Sequence, residues 1–210
     1  MSSWSGTRVR VGILGGTFDP IHNAHLMCGE ESLKRLGLGE VLFVPAGQPW
    51  MKTGAEITPA HHRLNMTKLA VQPYPAFRVS SMEIDRPGPT YTVDTLAALH
   101  RDGEPGTEYY LILGIDSLCS LPRWKAPSRI LDLCTLVGVP RPELGEYDIC
   151  TLEDIRPGAS QEIVMLEHPM LEISSSQIRE SIAQGVRDVA GVPPEVRNYI
   201  DAYGLYRDGR

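Results

Sequence analysis

The chain has 210 residues, of which 42% are hydrophobic and 22% are charged. This mixture is typical of a folded protein with its own core, and it excludes a largely disordered or fibrous chain. The formal net charge of −6 argues against broad contact with nucleic acid or an anionic membrane, because such contact needs a basic face that neutralises phosphates. A local cluster of donors for one small anionic ligand stays compatible with this charge.

Two further features bear on where the protein works. The four cysteines include no C-x-x-C pair, which favours reduced thiols. Residues 1–8 show no basic and then apolar signal segment, and no apolar run approaches the roughly 20 residues that a membrane span needs. We therefore expect a cytoplasmic protein with a single domain over residues 1–210, of which residues 1–8 form a disordered extension.

Short apolar segments alternate with segments of helical periodicity along the chain. Predicted strands cover residues 9–14, 41–44, 77–80, 109–113, 134–139 and 162–166. Predicted helices cover residues 24–36, 59–71, 92–101, 175–184 and 194–202. Gly and Pro content predicts loops at residues 47–59 and 140–158. The repeated strand–helix–strand order predicts an α/β fold: a Rossmann-like, doubly wound parallel sheet with helices on both faces and a small helical C-terminal part.

Residues 15–25, with the sequence GGTFDPIHNAH, join the first predicted strand to the first predicted helix. In an open parallel sheet this junction lies at the carboxyl edge, where ligands bind. Glycines allow the backbone to approach a phosphate, and the free N–H groups at a helix start bind anions. His22 and His25 are spaced so that both rings can project into such a pocket and stabilise negative charge.

Each part of this segment also has a simpler interpretation. A pair of glycines alone is usually the end of a strand, and two histidines at this spacing occur on surfaces or as metal ligands. The sequence shows no convincing carboxylate or cysteine that completes a metal set, and Asp19 can equally shape the turn. The whole segment is much more specific than its parts.

The segment resembles the G-G-T-F-D-P-x-H-x-G-H signature of the nucleotidyltransferase superfamily, with Ala24 where that signature has glycine. The difference adds one methyl group and keeps both histidines. The resemblance implies that six residues of the segment contact ATP: Gly15, Gly16, Thr17, Phe18, His22 and His25.

A second match lies at residues 173–179, ISSSQIR, which resemble the I-S-S-T-x-I-R motif of the same superfamily. Gln177 is placed to complete a capping box with Ser174, and a capped helix start attracts phosphate. Arg179 adds a permanent charge that can bind phosphate oxygens through two N–H groups. In isolation this would be a well-capped helix with a surface arginine. Together with the first motif, it predicts four more ATP contacts: Ser174, Ser175, Ser176 and Arg179.

The middle of the chain indicates which family is matched. Residues 91–96, YTVDTL, resemble the Y-T-x-x-T-L stretch of the nicotinate-nucleotide adenylyltransferases. Residues 113–118, LGIDSL, resemble their G-x-D-x-L stretch, and Trp124 follows where they carry a tryptophan. Arg63 is similar to a family arginine at a helix start, with a surface ion-pair partner as the alternative. The pantetheine-phosphate adenylyltransferases share the terminal motifs but lack this middle pattern.

The resemblance implies a mononucleotide site built from five residues. Asp116 would bind the ribose or its phosphate, and Trp124 would stack on the pyridine ring. Backbone N–H groups near Tyr91 and Thr92 would receive the nicotinate carboxylate, and Lys52 would contact a phosphate from its loop. The simpler alternatives are an aspartate that caps a helix, a tryptophan in the core and a solvated lysine.

The family activity implied is attack by the phosphate of nicotinate mononucleotide on the α-phosphorus of ATP. The products are nicotinate adenine dinucleotide and pyrophosphate, in NAD biosynthesis. His22, His25 and Arg179 are the expected catalytic residues, since such transfers are accelerated mainly by alignment and by cancelling charge. Mg²⁺ is expected to arrive with ATP rather than on side-chain ligands.

Two other classes of function stay open at this point. The same chemistry could act on phosphopantetheine or nicotinamide mononucleotide, and a Rossmann-type sensor could bind a nucleotide without reacting. A dehydrogenase is disfavoured because the first turn lacks G-x-G-x-x-G. The expected partners are ATP and nicotinate mononucleotide, with no nucleic acid and no membrane, and a homo-oligomer is left open. All of this requires that the segments at residues 15–25 and 173–179 meet around one triphosphate.

Overall fold

A parallel sheet lies at the centre of the computed structural model, which describes residues 9–49, 57–140, 149–166, 171 and 173–207. The strands in chain order are β1 (Arg10–Gly16), β2 (Glu40–Pro45), β3 (Gln48–Pro49), β4 (Phe77–Val79), β5 (Pro89–Thr90), β6 (Glu108–Gly114), β7 (Thr135–Val139) and β8 (Val164–Met165). Six of them form the main sheet in the order β4-β2-β1-β6-β7-β8, and each neighbouring pair is parallel. β3 and β5 pair separately. The strand order reverses between β1 and β6, which is the switch point where open α/β sheets bind ligands.

Helices cover both faces of this sheet. They are α1 (Asn23–Leu36), α2 (Ala60–Val71), α3 (Thr92–Asp102), α4 (Ile115–Ser120), α5 (Pro127–Leu133), α6 (Ser175–Ala183) and α7 (Pro194–Tyr203). Buried side chains of α1, α2, α6 and α7 belong to one apolar cluster. Those of α3, α4 and α5 belong to a second cluster. The predicted fold class is confirmed.

The central strands alternate between the two clusters. Leu14 packs into the first cluster and Ile13 into the second. In β6, Ile112 belongs to the first cluster and Leu111 to the second. Successive side chains of a strand point to opposite faces, so a continuous apolar run is what a strand buried on both faces requires.

The predicted strands and helices are present, with ends within two residues of those expected. Two helices were missed, α4 and α5, since both are too short to show helical periodicity. Their buried side chains, such as Leu118 and Ile130, hold them against the second cluster. The predicted loop at residues 47–59 contains β3, and the predicted loop at residues 140–158 contains a 3-10 helix at Ile149–Asp154.

Three observations concern the other expectations. Cys28 and Cys134 are free thiols. No helix in the described part of the chain combines the length and apolarity needed to cross a membrane. The expected extension at residues 1–8 lies outside the described residues.

Candidate active site

The carboxyl ends of β1 and β6 bring two of the sequence motifs to one edge of the sheet. β1 ends at Gly16 and β6 ends at Gly114, and the two strands are paired. The segment at residues 15–25 therefore begins beside the segment at residues 113–118. This edge is also the switch point of the strand order, so the motif residues lie where the fold favours ligand binding.

The two histidines lie side by side at the start of α1. Their rings stack with centroids 3.7 Å apart and 28° between the planes. The backbone N–H of His22 donates to Nδ1 of His25 at 3.2 Å. Because Nδ1 accepts this bond, the neutral ring of His25 carries its proton on Nε2, where it can donate to another oxygen. His22 is 4% exposed, and His25 is partly exposed.

Phe18 packs against this pair through the ring of His25. Its ring is 2% exposed and meets the His25 ring edge-on, with centroids 5.0 Å apart. A side chain at Gly16 would bring its Cβ within 2.9 Å of the Phe18 ring, so glycine is required there for close packing. Ala24, where the superfamily has glycine, is buried in the first turn of α1.

The second motif forms the start of α6. Ser174 Oγ accepts from the backbone N–H of Gln177 at 3.2 Å, and Gln177 Oε1 accepts from the backbone N–H of Ser174 at 3.0 Å. The predicted capping box is therefore present. Ser176 is exposed on the first turn, with its Oγ 3.4 Å from Nη2 of Arg179.

The two motifs contact each other directly. Nη1 of Arg179 donates to the backbone carbonyl of Asp19 at 2.7 Å, across 160 residues of sequence. Ser175 Oγ donates to the carbonyl of Pro20 at 2.9 Å. The start of α6 thus lies against the turn that leads to His22, and the two segments are in direct contact.

Asp19 has a structural role in this turn. Its Oδ1 accepts from the hydroxyl of Tyr206 at 2.7 Å, and its Oδ2 accepts from the backbone N–H of Thr58 at 3.1 Å. Burial, together with the charge of Asp19, raises the pKa of Tyr206 far above its usual value. Asp19 is 5% exposed, so the alternative that it shapes the turn fits the structure. The hydrogen bond from Tyr206 was missed, because nothing local in the sequence connects residues 187 positions apart.

Arg63 lies beneath the same turn. It is 1% exposed, so the sequence-based alternative of a surface ion-pair partner is wrong. Its guanidinium donates to the carbonyls of Thr17 at 2.7 Å, Thr58 at 2.8 Å and Gly47 at 3.1 Å. A buried guanidinium needs such acceptors to offset the loss of water.

Two of the residues expected at the mononucleotide site lie at the start of α3. Tyr91 is the N-cap of this helix and Thr92 is its first residue. The backbone carbonyl of Tyr91 accepts from the N–H groups of Asp94 and Thr95, while the earlier N–H groups of a helix have no acceptor within it. Lys125 Nζ lies 4.5 Å from the centroid of the Tyr91 ring. An anion at this helix start would meet the backbone N–H groups near Tyr91 and Thr92 and the positive charge of Lys125.

Asp116 and Trp124 follow β6. Asp116 is exposed in the first turn of α4, which follows β6 directly. Trp124 is half-buried against the second cluster, and its Nε1 donates to Ser120 Oγ at 3.0 Å. The tryptophan therefore has a structural contact whether or not its ring also meets a ligand. Lys52 lies outside the described residues.

Glu83 is a partly buried acid beside this region that sequence reasoning did not single out. Its Oε1 accepts from Thr95 Oγ1 at 2.7 Å, and Arg86 Nη1 donates to the same Oγ1 at 3.2 Å. Burial raises the pKa of Glu83, while its bonds from Thr95 and Thr90 and the charge of Arg86 oppose this. The contacts tie the segment that precedes α3 to the helix itself.

Comparison with known proteins agrees with this geometry. Residues 13–181 match the model of the family described as cytidylyltransferase-like. A probable nicotinate-nucleotide adenylyltransferase of Dehalococcoides mccartyi is 49% identical over 198 residues, which cover 94% of this chain and 97% of the relative. A protein of the same description from Roseiflexus sp. is 46% identical, with coverage of 94% and 98%. The chain belongs to the nicotinate-nucleotide adenylyltransferases, within the cytidylyltransferase-like family.

Solved structures of the same description share the fold. The nicotinic acid mononucleotide adenylyltransferase of Plasmodium falciparum, solved in complex with NaAD, is 22% identical and has a TM-score of 0.76. The match covers 95% of this chain and 98% of that one. At this identity the likeness concerns the fold alone, and it extends over nearly the whole chain of this family member.

Proposed function

We propose that this enzyme transfers the adenylyl group of ATP to nicotinate mononucleotide, forming nicotinate adenine dinucleotide and pyrophosphate in NAD biosynthesis. The observation that carries the proposal is the contact between Arg179 and Asp19, because it brings the second motif beside the histidines at the switch point. Family membership supports the same activity. We also propose that residues 1–210 act as one such domain, since α6 and α7 pack into the same cluster as α1 and α2.

The triphosphate of ATP is proposed to lie between the start of α1 and the start of α6. The proposed ATP contacts are Gly15, Gly16, Thr17, Phe18, His22, His25, Ser174, Ser175, Ser176 and Arg179. Two helix starts facing one anion combine their free N–H groups and dipoles. The Nε2 proton of His25 and the guanidinium of Arg179 add further donors.

The reaction requires no nucleophile from the protein. A phosphate oxygen of the mononucleotide forms a bond to the α-phosphorus of ATP, and the bond from that phosphorus to the bridging oxygen breaks. The electron pair of the broken bond leaves with pyrophosphate. His22, His25 and Arg179 stabilise the charge on the transferring group and the leaving group, and the fold aligns the two substrates.

Mg²⁺ is proposed to enter as a companion of ATP. Among the described residues no group of three or more His, Cys, Asp or Glu side chains is placed to hold a metal ion. Asp19, the acid within the first motif, has both carboxylate oxygens engaged by protein donors. Phosphate oxygens and water are the ligands that Mg²⁺ prefers in such sites, where the ion would neutralise phosphate charge.

Nicotinate mononucleotide is proposed to bind across the starts of α3 and α4. Tyr91 and Thr92 would present backbone N–H groups to the nicotinate carboxylate, and Asp116 would accept from the ribose hydroxyls. Trp124 would stack on the pyridine ring, and Lys52 would contact the phosphate. The helix start at Thr92 favours a negatively charged ring substituent over a neutral amide. This preference supports nicotinate over nicotinamide as the acceptor.

One coupled assay tests the proposal. Pyrophosphate release is measured with ATP and Mg²⁺ and, in turn, nicotinate mononucleotide, nicotinamide mononucleotide and phosphopantetheine. We expect turnover that is fastest with nicotinate mononucleotide. Faster turnover with either other acceptor would reassign the substrate, and no turnover with any of them would indicate a nucleotide-binding protein without this activity.

The remaining expectations concern the setting of the enzyme. We propose that it works in the cytoplasm on small-molecule substrates, a setting that suits the free thiols of Cys28 and Cys134. The formal net charge of −6 disfavours nucleic acid as a partner.

A further inference from the structure

A fully buried arginine lies beneath the candidate active site without a place in the chemistry described above. Arg63 is 1% exposed and is among the largest fully buried side chains of the described residues. Its guanidinium donates to three backbone carbonyls. Burial lowers the pKa of Arg63, whereas the nearby charge of Asp19 raises it. A buried guanidinium is costly unless it is well paired. The role of Arg63 therefore follows from the three carbonyls that it binds.

The three carbonyls belong to three separate segments of the chain. Thr17 lies in the turn after β1, Gly47 lies between β2 and β3, and Thr58 precedes α2. A guanidinium is planar and presents its N–H groups in fixed directions, so it sets the relative positions of its acceptors. An ammonium group has no such planar fork. Arg63 therefore fixes three loops against one another.

Two of these segments lead to opposite sides of the proposed site. Thr17 opens the turn that continues to His22, on the ATP side. Gly47 leads directly into β3, and Pro49 in that strand pairs with Thr90 in β5. Thr90 is followed by the start of α3, where the acceptor carboxylate is proposed to bind. The backbone contacts of Arg63 thus connect the ATP side with the acceptor side.

Asp19 and Tyr206 reinforce the same connection. Asp19 Oδ2 accepts from the N–H of Thr58, whose carbonyl accepts from Nε of Arg63. Tyr206 donates to the other oxygen of Asp19. The carboxylate therefore holds one of the three segments from its opposite side, and the hydroxyl of Tyr206 holds the carboxylate.

We propose that Arg63 is a positioning residue for adenylyl transfer, which holds the ATP-binding turn and the acceptor-binding segment in the relative placement that in-line attack requires. It acts through Thr17 and Gly47 and touches neither substrate. The proposal rests on the proposed function. Because the rate of in-line transfer depends steeply on small displacements of the reacting groups, loss of this connection lowers kcat more than it weakens the binding of either substrate.

The first test is the Arg63→Lys variant, which keeps the charge and removes the planar fork. We expect kcat to fall at least about tenfold while both KM values change by less than about threefold. Arg78→Lys is the matched control, because Arg78 also donates to backbone carbonyls, those of Pro75 and Phe77, but does so at β4 on the sheet edge. Its kcat is expected to stay within about twofold of the parent.

Amide hydrogen exchange gives a readout that does not depend on turnover. In the absence of substrates, we expect the amides at residues 15–19 and 46–48 to exchange faster in Arg63→Lys than in the parent, and Arg78→Lys to match the parent in both. Pyrophosphate release by the parent tests the proposed function separately. A parent without activity would sink that function, while the exchange comparison would still report on the connection.

The outcomes that overturn the proposal are specific. A folded Arg63→Lys variant whose kcat stays within about twofold of the parent would do so, as would a loss of kcat that only follows the folded fraction measured by circular dichroism. If Arg63→Lys does not fold, Tyr206→Phe replaces it, since this variant removes one hydroxyl that holds Asp19. We then expect kcat to fall several-fold with nearly constant KM values, and unchanged kcat with unchanged exchange at residues 15–19 would overturn the proposal.

Discussion

Arg179 and Asp19 are 160 residues apart in sequence, and the guanidinium of the first donates to the backbone carbonyl of the second at 2.7 Å. The contact holds the second motif against the turn of the first motif at the proposed ATP site. It does not use the whole guanidinium, because the planar fork has further N–H groups for a phosphate oxygen. The arginine can therefore hold the turn before His22 and bind the triphosphate at the same time.

Replacing Arg179 with Gln should keep the fold and lower kcat/KM for ATP by about two orders of magnitude or more, because one charged donor to the phosphates is lost. The control is Arg187→Gln, an exposed arginine beyond the end of α6, which removes the same charge outside the proposed site. Steady-state kinetics with varied ATP separate the two variants. Equal kinetics for both would exclude Arg179 from the site.

The His25→Ala variant should fold normally and lose roughly two or more orders of magnitude in turnover, since a preorganised donor to the transferring group is removed. His61→Ala is the control, because His61 is an exposed histidine on α2. Turnover is measured under saturating ATP and nicotinate mononucleotide. Near-normal turnover of a folded His25→Ala protein would remove this histidine from the mechanism.

Trp124→Ala should weaken nicotinate mononucleotide binding by about 1 to 3 kcal/mol with nearly unchanged ATP binding, since a stacking platform is lost. Trp124→Phe separates stacking from the hydrogen bond to Ser120, because phenylalanine keeps a ring and has no N–H. Dissociation constants for each substrate, measured by calorimetry, give the comparison. Equal weakening of both substrates by the alanine variant would show a purely structural tryptophan.

Glu83 gives a prediction for stability against pH. Burial raises its pKa above the ordinary value of 4.5, so the folded state keeps the proton to higher pH than the unfolded chain does. The contribution of Glu83 to the stability of the parent is therefore lost as pH rises from the unfolded pKa through the raised folded pKa. Glu83→Gln keeps an acceptor for Thr95 and does not titrate.

Thermal unfolding between about pH 4 and pH 8 measures this effect. We expect the Tm of Glu83→Gln, relative to that of the parent, to increase with pH over this range. Glu104→Gln, at an exposed glutamate after α3, should show no such trend relative to the parent. A constant Tm difference between Glu83→Gln and the parent would mean that Glu83 is not desolvated in the folded protein.

Whether a contact could be predicted from residue spacing depended on the distance in sequence between the two interacting groups. The His22–His25 pair and the Ser174–Gln177 capping box each lie within three residues, so their spacing predicted that the members of each pair are neighbours. The long strands were predictable from their continuous apolar runs, and the longer helices from the periodic spacing of their apolar residues. The contacts of Arg63 could not be predicted in this way, since the carbonyl of Thr17 is 46 residues away.

Short elements were missed for a related reason. α4 has 6 residues and α5 has 7, which is too few for a helical repeat, and packing against the sheet stabilises them instead. Similarly, the environment of Trp124 depends on Ser120 and on the second cluster. The sequence motif implied a stacking role for Trp124 but did not predict its hydrogen bond to Ser120.

The most direct measurement is a crystal structure of the enzyme with Mg²⁺ and a non-hydrolysable ATP analogue. We expect the phosphates between the start of α1 and the start of α6, with phosphate oxygens within hydrogen-bond distance of both His25 Nε2 and the Arg179 guanidinium. A nucleotide bound elsewhere, or phosphates that reach only one of these two side chains, would contradict the proposed site.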